Sequence, residues 1–291
     1  MAGLGGAKKS VRHKGMTMTR LSKVVITCGL LALSVGTVRA QSASLPWEKG
    51  SIQIGGFITS SDTEMRVNSS SGGLGTVVNV EDALGVGSEK STYRIDGFYR
   101  FGETRRHQID LHYFDSRRSA TKVLDETIEV GDTTFPAGST VFTQFNLQFV
   151  NLDYSYAFFQ DHRVRLSVAG GLHTTGVKFK LDSPPALFQD ESFTAPLPVV
   201  GLRGEVAITE RWRLKGSADA FYLEYDRYTG FLADTSLAVE YLPFKHAAFG
   251  LAVNNIRMNV ESDGDNAEGT DLNGELKFNF VGLLMYARYL F

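Results

Sequence analysis

Beyond residue 40 the chain has no thiol, since its only cysteine is Cys28. This excludes disulfides, thiolate metal sites and a cysteine nucleophile from that region. It also has no apolar run long enough for a spanning helix, which needs about 20 residues. Positive charge is scarce in the same region. Seven of the 30 Lys and Arg lie within residues 1–40, where there is no acid, so 23 basic residues face 32 acidic ones and the net charge is −9. A phosphate-binding surface needs a basic field, so a nucleic-acid partner is excluded. No Gly-x-Ser-x-Gly elbow, His-Glu-x-x-His pair or phosphate-cradling glycine loop occurs. The stretch Asp263-Gly264-Asp265-Asn266-Ala267-Glu268 fails as a calcium loop. Ala267 stands at the fifth position and Glu268 where glycine must turn. No cofactor or metal is expected.

What is present begins with a basic amino-terminal stretch, Lys8, Lys9, Arg12, Lys14, Arg20 and Lys23. An apolar run from Val24 to Val38 follows and closes on Val38-Arg39-Ala40. This order predicts a secretory signal peptide over residues 1–40 and an exported chain over 41–291. The run is short for a membrane anchor. Thr27 stands where a lipoprotein signal needs a small residue before Cys28.

The rest of the chain alternates with period two, the signature of strands. Ten segments are predicted. They lie near Ser51–Thr59, Tyr93–Phe101, Ile109–Phe114, Val141–Phe158 and Val164–Leu172, then Ala195–Ile208, Trp212–Tyr225, Leu237–Tyr241, Ala248–Val260 and Leu272–Phe291. Tight connections fall at Gly102–Arg105, Gln160–Asp161, Thr209–Arg211 and Pro243–His246. Longer ones fall mostly between them, and one holds a hairpin-like piece at Gly131-Asp132 and Pro136–Gly138. The Ser/Gly-rich stretch Asn68–Gly87 is read as an external loop; the alternative tucks Leu74, Val77, Val78, Val80 and Leu84 into a barrel mouth. The apolar face changes parity inside several strands, for example between Phe149 and Val150. This is read either as bulging or as emergence from lipid.

The last strand carries Leu283, Met285, Ala287, Tyr289 and Phe291 on one face. A strand running into an aromatic terminus needs partners on both sides, which a closed barrel supplies. Aromatic residues gather at strand ends, among them Tyr99, Phe101, Tyr154, Tyr156, Phe158, Trp212, Tyr222, Tyr225, Tyr241 and Tyr289, as in interfacial girdles. The expected fold is all-β: a transmembrane antiparallel up-and-down β-barrel of about ten strands.

The signal, the even strand count, the alternation of short and long connections and the closing Tyr286-Ala287-Arg288-Tyr289-Leu290-Phe291 carry a resemblance. Together they resemble the small outer-membrane β-barrel proteins of Gram-negative bacteria, the OmpA-like and OmpW-like group. The resemblance implies an outer-membrane location, contact with outer-membrane lipid and lipopolysaccharide, and recognition of the terminal strand by the barrel-assembly machinery through Phe291. It implies no particular activity. A periplasmic peptidoglycan-binding domain after the barrel segment is not expected, and that role is not implied.

Opposite the apolar face lie Arg94, Asp96, Arg100, Asp110, His112, Arg165, Arg203, Glu205, Arg213, Lys215, Asp219 and Glu240. In a barrel these line the lumen, where opposite charges must pair to offset their burial. Arg94 and Asp96 are expected near Asp110 and His112, and Arg203 and Glu205 near Arg213 and Asp219. Two readings follow: a non-enzymatic barrel, either structural or a narrow small-solute channel, and a surface hydrolase using rim carboxylates and His. Asp110-Leu111-His112 places an acid and an imidazole on one face. The spacing looks like that of omptin-type surface proteases, but the pair lies near the periplasmic turn rather than the outer rim.

Overall fold

In the computed structural model, which describes residues 47–69, 73–184, 187–225, 228–262 and 273–291, the period-two segments become strands that pair in chain order. The expected signal peptide, Cys28 and the acidic stretch Asp263–Glu268 lie outside the described residues.

Ten long strands form the wall: β1 (Gly50–Val67), β3 (Glu89–Phe101), β4 (His107–Val123), β7 (Thr140–Gln160), β8 (Val164–Ser183), β9 (Leu187–Ala207), β10 (Trp212–Tyr225), β11 (Tyr228–Phe244), β12 (Ala247–Ser262) and β13 (Gly274–Leu290). Every neighbouring pair is antiparallel, and β13 returns to β1 over Ser51↔Leu290 to Val67↔Gly274, which closes the barrel. Closure leaves no edge at the terminal strand. Three short strands lie outside the wall. They are β2 (Val78–Asn79), which adds to β1, and the hairpin of β5 (Ile128–Val130) and β6 (Thr133–Phe135). Gly102 (φ 80°) makes the tight turn from β3 to β4, a backbone conformation that favours glycine.

Several strands run further than the alternation suggested, by two or three residues at some short turns and by far more at the long-loop end. There β1 reaches Val67, β8 reaches Ser183 and β9 begins at Leu187. The cause is visible along β7, which has 21 residues. Near the short-turn end Val150, Leu152, Tyr154, Tyr156 and Phe158 point outward, while Asp153 and Ser155 are buried inside. Beyond Val150 the same inward parity holds Val141, Phe145, Leu147 and Phe149, and the outward parity holds Gln144, Asn146 and Gln148. The ladder to β4 runs without a break from His107↔Tyr156 to Val123↔Thr140. The change of apolar face is therefore not a bulge. Irregularities in the wall occur elsewhere, between Ala157 and Phe159 and between Tyr241 and Phe244.

The barrel thus has two storeys of opposite polarity. The lower wears an apolar coat of about nine residues per strand, the length of a tilted span, around a charged interior. The upper has a polar outside and an apolar core, as a water-soluble barrel does. Val78, Val80 and Leu84 enter that core from the first long loop, together with Ile128, Val130 and Phe135 of the hairpin. Leu74 and Val77 stay outside, 69% and 53% exposed.

One seam is incomplete. β9 pairs with β8 along its whole length, but its ladder to β10 covers only Val200–Ala207 against Arg213–Ala220. Pro196 and Pro198 stand just beyond that point. Proline cannot donate to a ladder and is confined to strand edges.

Candidate functional site

All eleven lumen candidates, Arg94, Asp96, Arg100, Asp110, His112, Arg165, Arg203, Glu205, Arg213, Asp219 and Glu240, occupy inward-facing positions of the lower storey. Their contacts sort them into two clusters along the barrel axis.

The cluster at the short-turn end is rich in cations. Arg100 Nη2 donates to Glu205 Oε2 at 2.7 Å, and Arg100 Nε donates to Gln108 Oε1 at 2.7 Å. Arg213 Nη1 lies 3.4 Å from Glu205 Oε1 and donates to Glu48 Oε2 at 2.7 Å. Lys215 Nζ and Arg288 Nη1 each lie 3.0 Å from an oxygen of Glu240, which also accepts from the Tyr286 hydroxyl at 2.6 Å. Arg165 has no carboxylate partner among the described residues. It donates to the carbonyls of Arg105 and Arg106 and to the Gln160 side chain.

Below this cluster the segment before β1 folds across the mouth. The Trp47 side chain is 7% exposed, with the Arg100 and Arg213 guanidinium carbons 5.6 Å and 5.7 Å from its ring centre. Trp47 Nε1 donates to the Asp161 carbonyl at 2.7 Å, and Arg105 Nη1 donates to the Trp47 carbonyl at 2.5 Å. Asp161 itself caps the adjacent turn. Slight burial disfavours its charge, but backbone N–H bonds from Val164 and Arg163, both 2.7 Å, hold its carboxyl below the usual carboxylate range.

The second cluster lies deeper and is rich in carboxylates. Arg94 Nε donates to Asp96 Oδ1 at 2.7 Å, and His112 Nδ1 meets the same oxygen at 2.7 Å. Asp153 faces His173 Nε2 at 3.2 Å and Arg203 Nη2 at 3.3 Å, and Arg203 Nη1 reaches Asp219 Oδ1 at 2.6 Å. Two glycines make the room. A Cβ on Gly171 or Gly201 would stand 2.0 Å from the Asp153 or Asp219 carboxylate, so only hydrogen fits there. Side chains of both clusters line one cavity of about 170 Å³.

An aromatic septum separates the charged chamber from the upper core. Phe57 meets Phe114 and Phe280, each with ring centres 5.3 Å apart. Phe114 stacks on Phe149 at 4.5 Å, and Phe149 meets Phe278 at 5.9 Å. Above the septum one buried ion pair pins the first long loop. Glu81 Oε1 accepts from Arg118 Nη1 at 2.5 Å and from Thr63 Oγ1 at 2.9 Å, and Glu81 Oε2 accepts from the Thr63 amide at 2.7 Å.

Asp110 and His112 share a face but do not pair. Asp110 accepts from Gln108 at 2.7 Å, and His112 turns to Asp96. The arrangement therefore offers no acid–base dyad at that spacing. Sequence reading did not single out Glu48, Trp47, Asp153, Asp234 or Arg288. The alternation of β7 and β11 was the available signal for Asp153 and Asp234, whereas Glu48 and Trp47 precede the first strand and carry none.

The fold is a closed antiparallel β-barrel with a wall of ten long strands. Its solved likenesses include the Yersinia pestis attachment invasion locus protein Ail in complex with a heparin analogue (9% identity, TM-score 0.35, covering 82% of this chain and 99% of that one). They also include the Ralstonia pickettii toluene transporter TbuX (10%, 0.35, covering 85% and 91%) and a Pseudomonas aeruginosa FadL homologue (11%, 0.32, covering 83% and 90%). At such identities nothing of those proteins' activities carries over. No protein-family profile and no curated protein sequence matches the chain.

Proposed function

We propose that the chain is a non-enzymatic protein of the bacterial outer membrane, exported by its amino-terminal signal. Its lower storey spans the bilayer, and its upper storey stands in the external medium with the lumen closed at rest. The observation that supports this most is the exchange of polarity between the two faces of unbroken strands. An apolar coat that includes Ile54, Leu152, Val200 and Leu251, 53–72% exposed, is larger than soluble monomers expose. It stops where the inside turns apolar. Outer-membrane lipid and lipopolysaccharide are the partners this coat fits, and β13, running into Phe291, is the element the barrel-assembly machinery would read.

A narrow solute path is the second reading, and one observation favours it. The lower mouth is closed by Trp47 and Glu48, which precede the wall, rather than by the wall itself. Planar-bilayer recording tests both readings. The wild-type barrel is expected to be silent, and Trp47→Ala is expected to give discrete low-conductance openings. A large steady current through the wild-type protein would contradict the closed lumen. Silence of both wild type and Trp47→Ala would remove the path and leave the structural role.

A further inference from the structure

A glycine stands in β8 where neither the backbone nor the packing requires one. The ladders on both sides of Gly176 run without a register shift, from Phe142↔Asp182 to Ala157↔Ser167 on β7 and along the whole of β9. Its φ is not left-handed, and a Cβ built on it would meet nothing closer than 3.8 Å. Glycine inside a strand weakens it and marks a bulge or the close approach of another group. Here there is no bulge. Gly176 lines a groove of about 490 Å³ on the outer wall. One outward row at the groove runs Asp115–Gln148–Gly176–Thr194 across β4, β7, β8 and β9, and the next row up runs Arg117–Asn146–Lys178–Ser192. Asn146, Lys178, Ser192 and Thr194 have no side-chain partner among the described residues. Asp115 balances Arg117 at 3.0 Å, and one row higher Asp190 balances Lys180. Among the described residues, Lys178 is left as the surplus charge of the groove.

The two rows directly below on the same strands are Tyr113–Val150–Thr174–Pro196 and Leu111–Leu152–Leu172–Pro198. The apolar coat therefore ends immediately beneath the groove. We infer that the groove seats the head of a phosphorylated glycolipid of the outer leaflet, the lipid A part of lipopolysaccharide. The phosphate lies on Lys178, where a charge-assisted bond is stronger than a neutral one. The free amide and hydroxyl groups of Asn146, Ser192 and Thr194 meet the sugar, and Gly176 lets the sugar ring approach the wall. The acyl chains run down over Val150, Leu152 and Leu172. The inference rests on the placement of the lower storey in the bilayer and names the lipid head that its upper margin selects.

The test is mass spectrometry of the intact folded barrel, released from detergent micelles that carry diphosphoryl lipid A or phosphatidylglycerol. The wild type is expected to retain one lipid A and to prefer it to phosphatidylglycerol, which has the phosphate without the sugar. Lys178→Glu should lower the retained fraction about tenfold, the loss of one charge-assisted bond. Gly176→Trp should fill the groove and lower it as much, with the compact gel band kept because the Cβ has room. Arg257→Glu makes the same charge change on the outer face of β12, four strands away, and should retain lipid A as the wild type does. Equal retention of the two lipids by the wild type, unchanged retention in Lys178→Glu, or an equal loss in Arg257→Glu would overturn the site. Lys178 is exposed, so its variant decides the matter even if Gly176→Trp fails to fold. A wild-type protein that lacks the compact band, or that leaves the outer-membrane fraction, would instead refute the placement on which the site depends.

Discussion

At the scale of single residues the lower storey is organised by charge compensation. Glu205 is the clearest case, because Arg100, Arg213 and Lys215 all converge on it. Glu205→Gln leaves those cations enclosed without their counter-ion and should cost about 3–5 kcal/mol in urea unfolding. Replacing Glu205 and Arg100 together by Met should cost clearly less than Glu205→Gln alone. An equal loss would mean that the packing, not the charge, matters there. Asp161 acts on a smaller scale. Its carboxyl is held below its ordinary pKa in the folded chain, so its contribution is present above the unfolded value and fades as pH falls through the folded one. Asp161→Ala should therefore lower stability by about 1 kcal/mol at pH 7, with the difference from wild type vanishing in strong acid. A difference that persists in acid would show that the turn's two bonds are not the cause. Most of these residues were legible as inward charges from period two alone. Their partners were legible only where they sat on adjacent strands. The link from Arg100 on β3 to Glu205 on β9 crosses the lumen and that from Arg288 to Glu240 passes over β12, and no spacing in the sequence encodes them.

At the scale of elements, strand positions near the short turns followed from alternation of apolar and polar residues. Their upper extensions did not, because there the apolar parity moves inside and the pattern breaks at each junction. The Pro184-Pro185 pair also suggested a wider break before β9 than the few residues that separate it from β8. The β9–β10 seam is the element-level feature with the most direct consequence. Above Val200 the strand β9 is paired on one side only. Its β10-facing amides should exchange with deuterium much faster than the β8-facing ones, and faster than the amides of β8, which is paired on both sides. Hydrogen exchange followed by NMR in micelles reads this alternation directly. Uniform protection of β9 from Leu187 to Val199 would mean that the seam is closed in solution.

The described residues form a barrel turned inside out half-way along its axis. On the proposed placement the lower half solves the problem of lipid, in which every backbone group must be satisfied within the wall. The upper half solves the problem of water, with Phe145, Phe179, Val80 and Leu276 buried completely or nearly so behind a polar exterior. The aromatic septum marks the level at which one solution gives way to the other. That a chain of this composition forms a closed barrel was readable from its alternation and its terminal strand. That it contains two storeys was readable only as a puzzling change of parity, since sequence alone does not say which medium lies outside a strand. The most direct test uses two positions on the outer face of β7, four residues apart on opposite sides of the junction. A fluorophore on Leu152→Cys, in barrels reconstituted with brominated lipid, should be strongly quenched, whereas one on Gln148→Cys should be quenched little. Equal quenching at both positions, or stronger quenching at residue 148, would contradict the account.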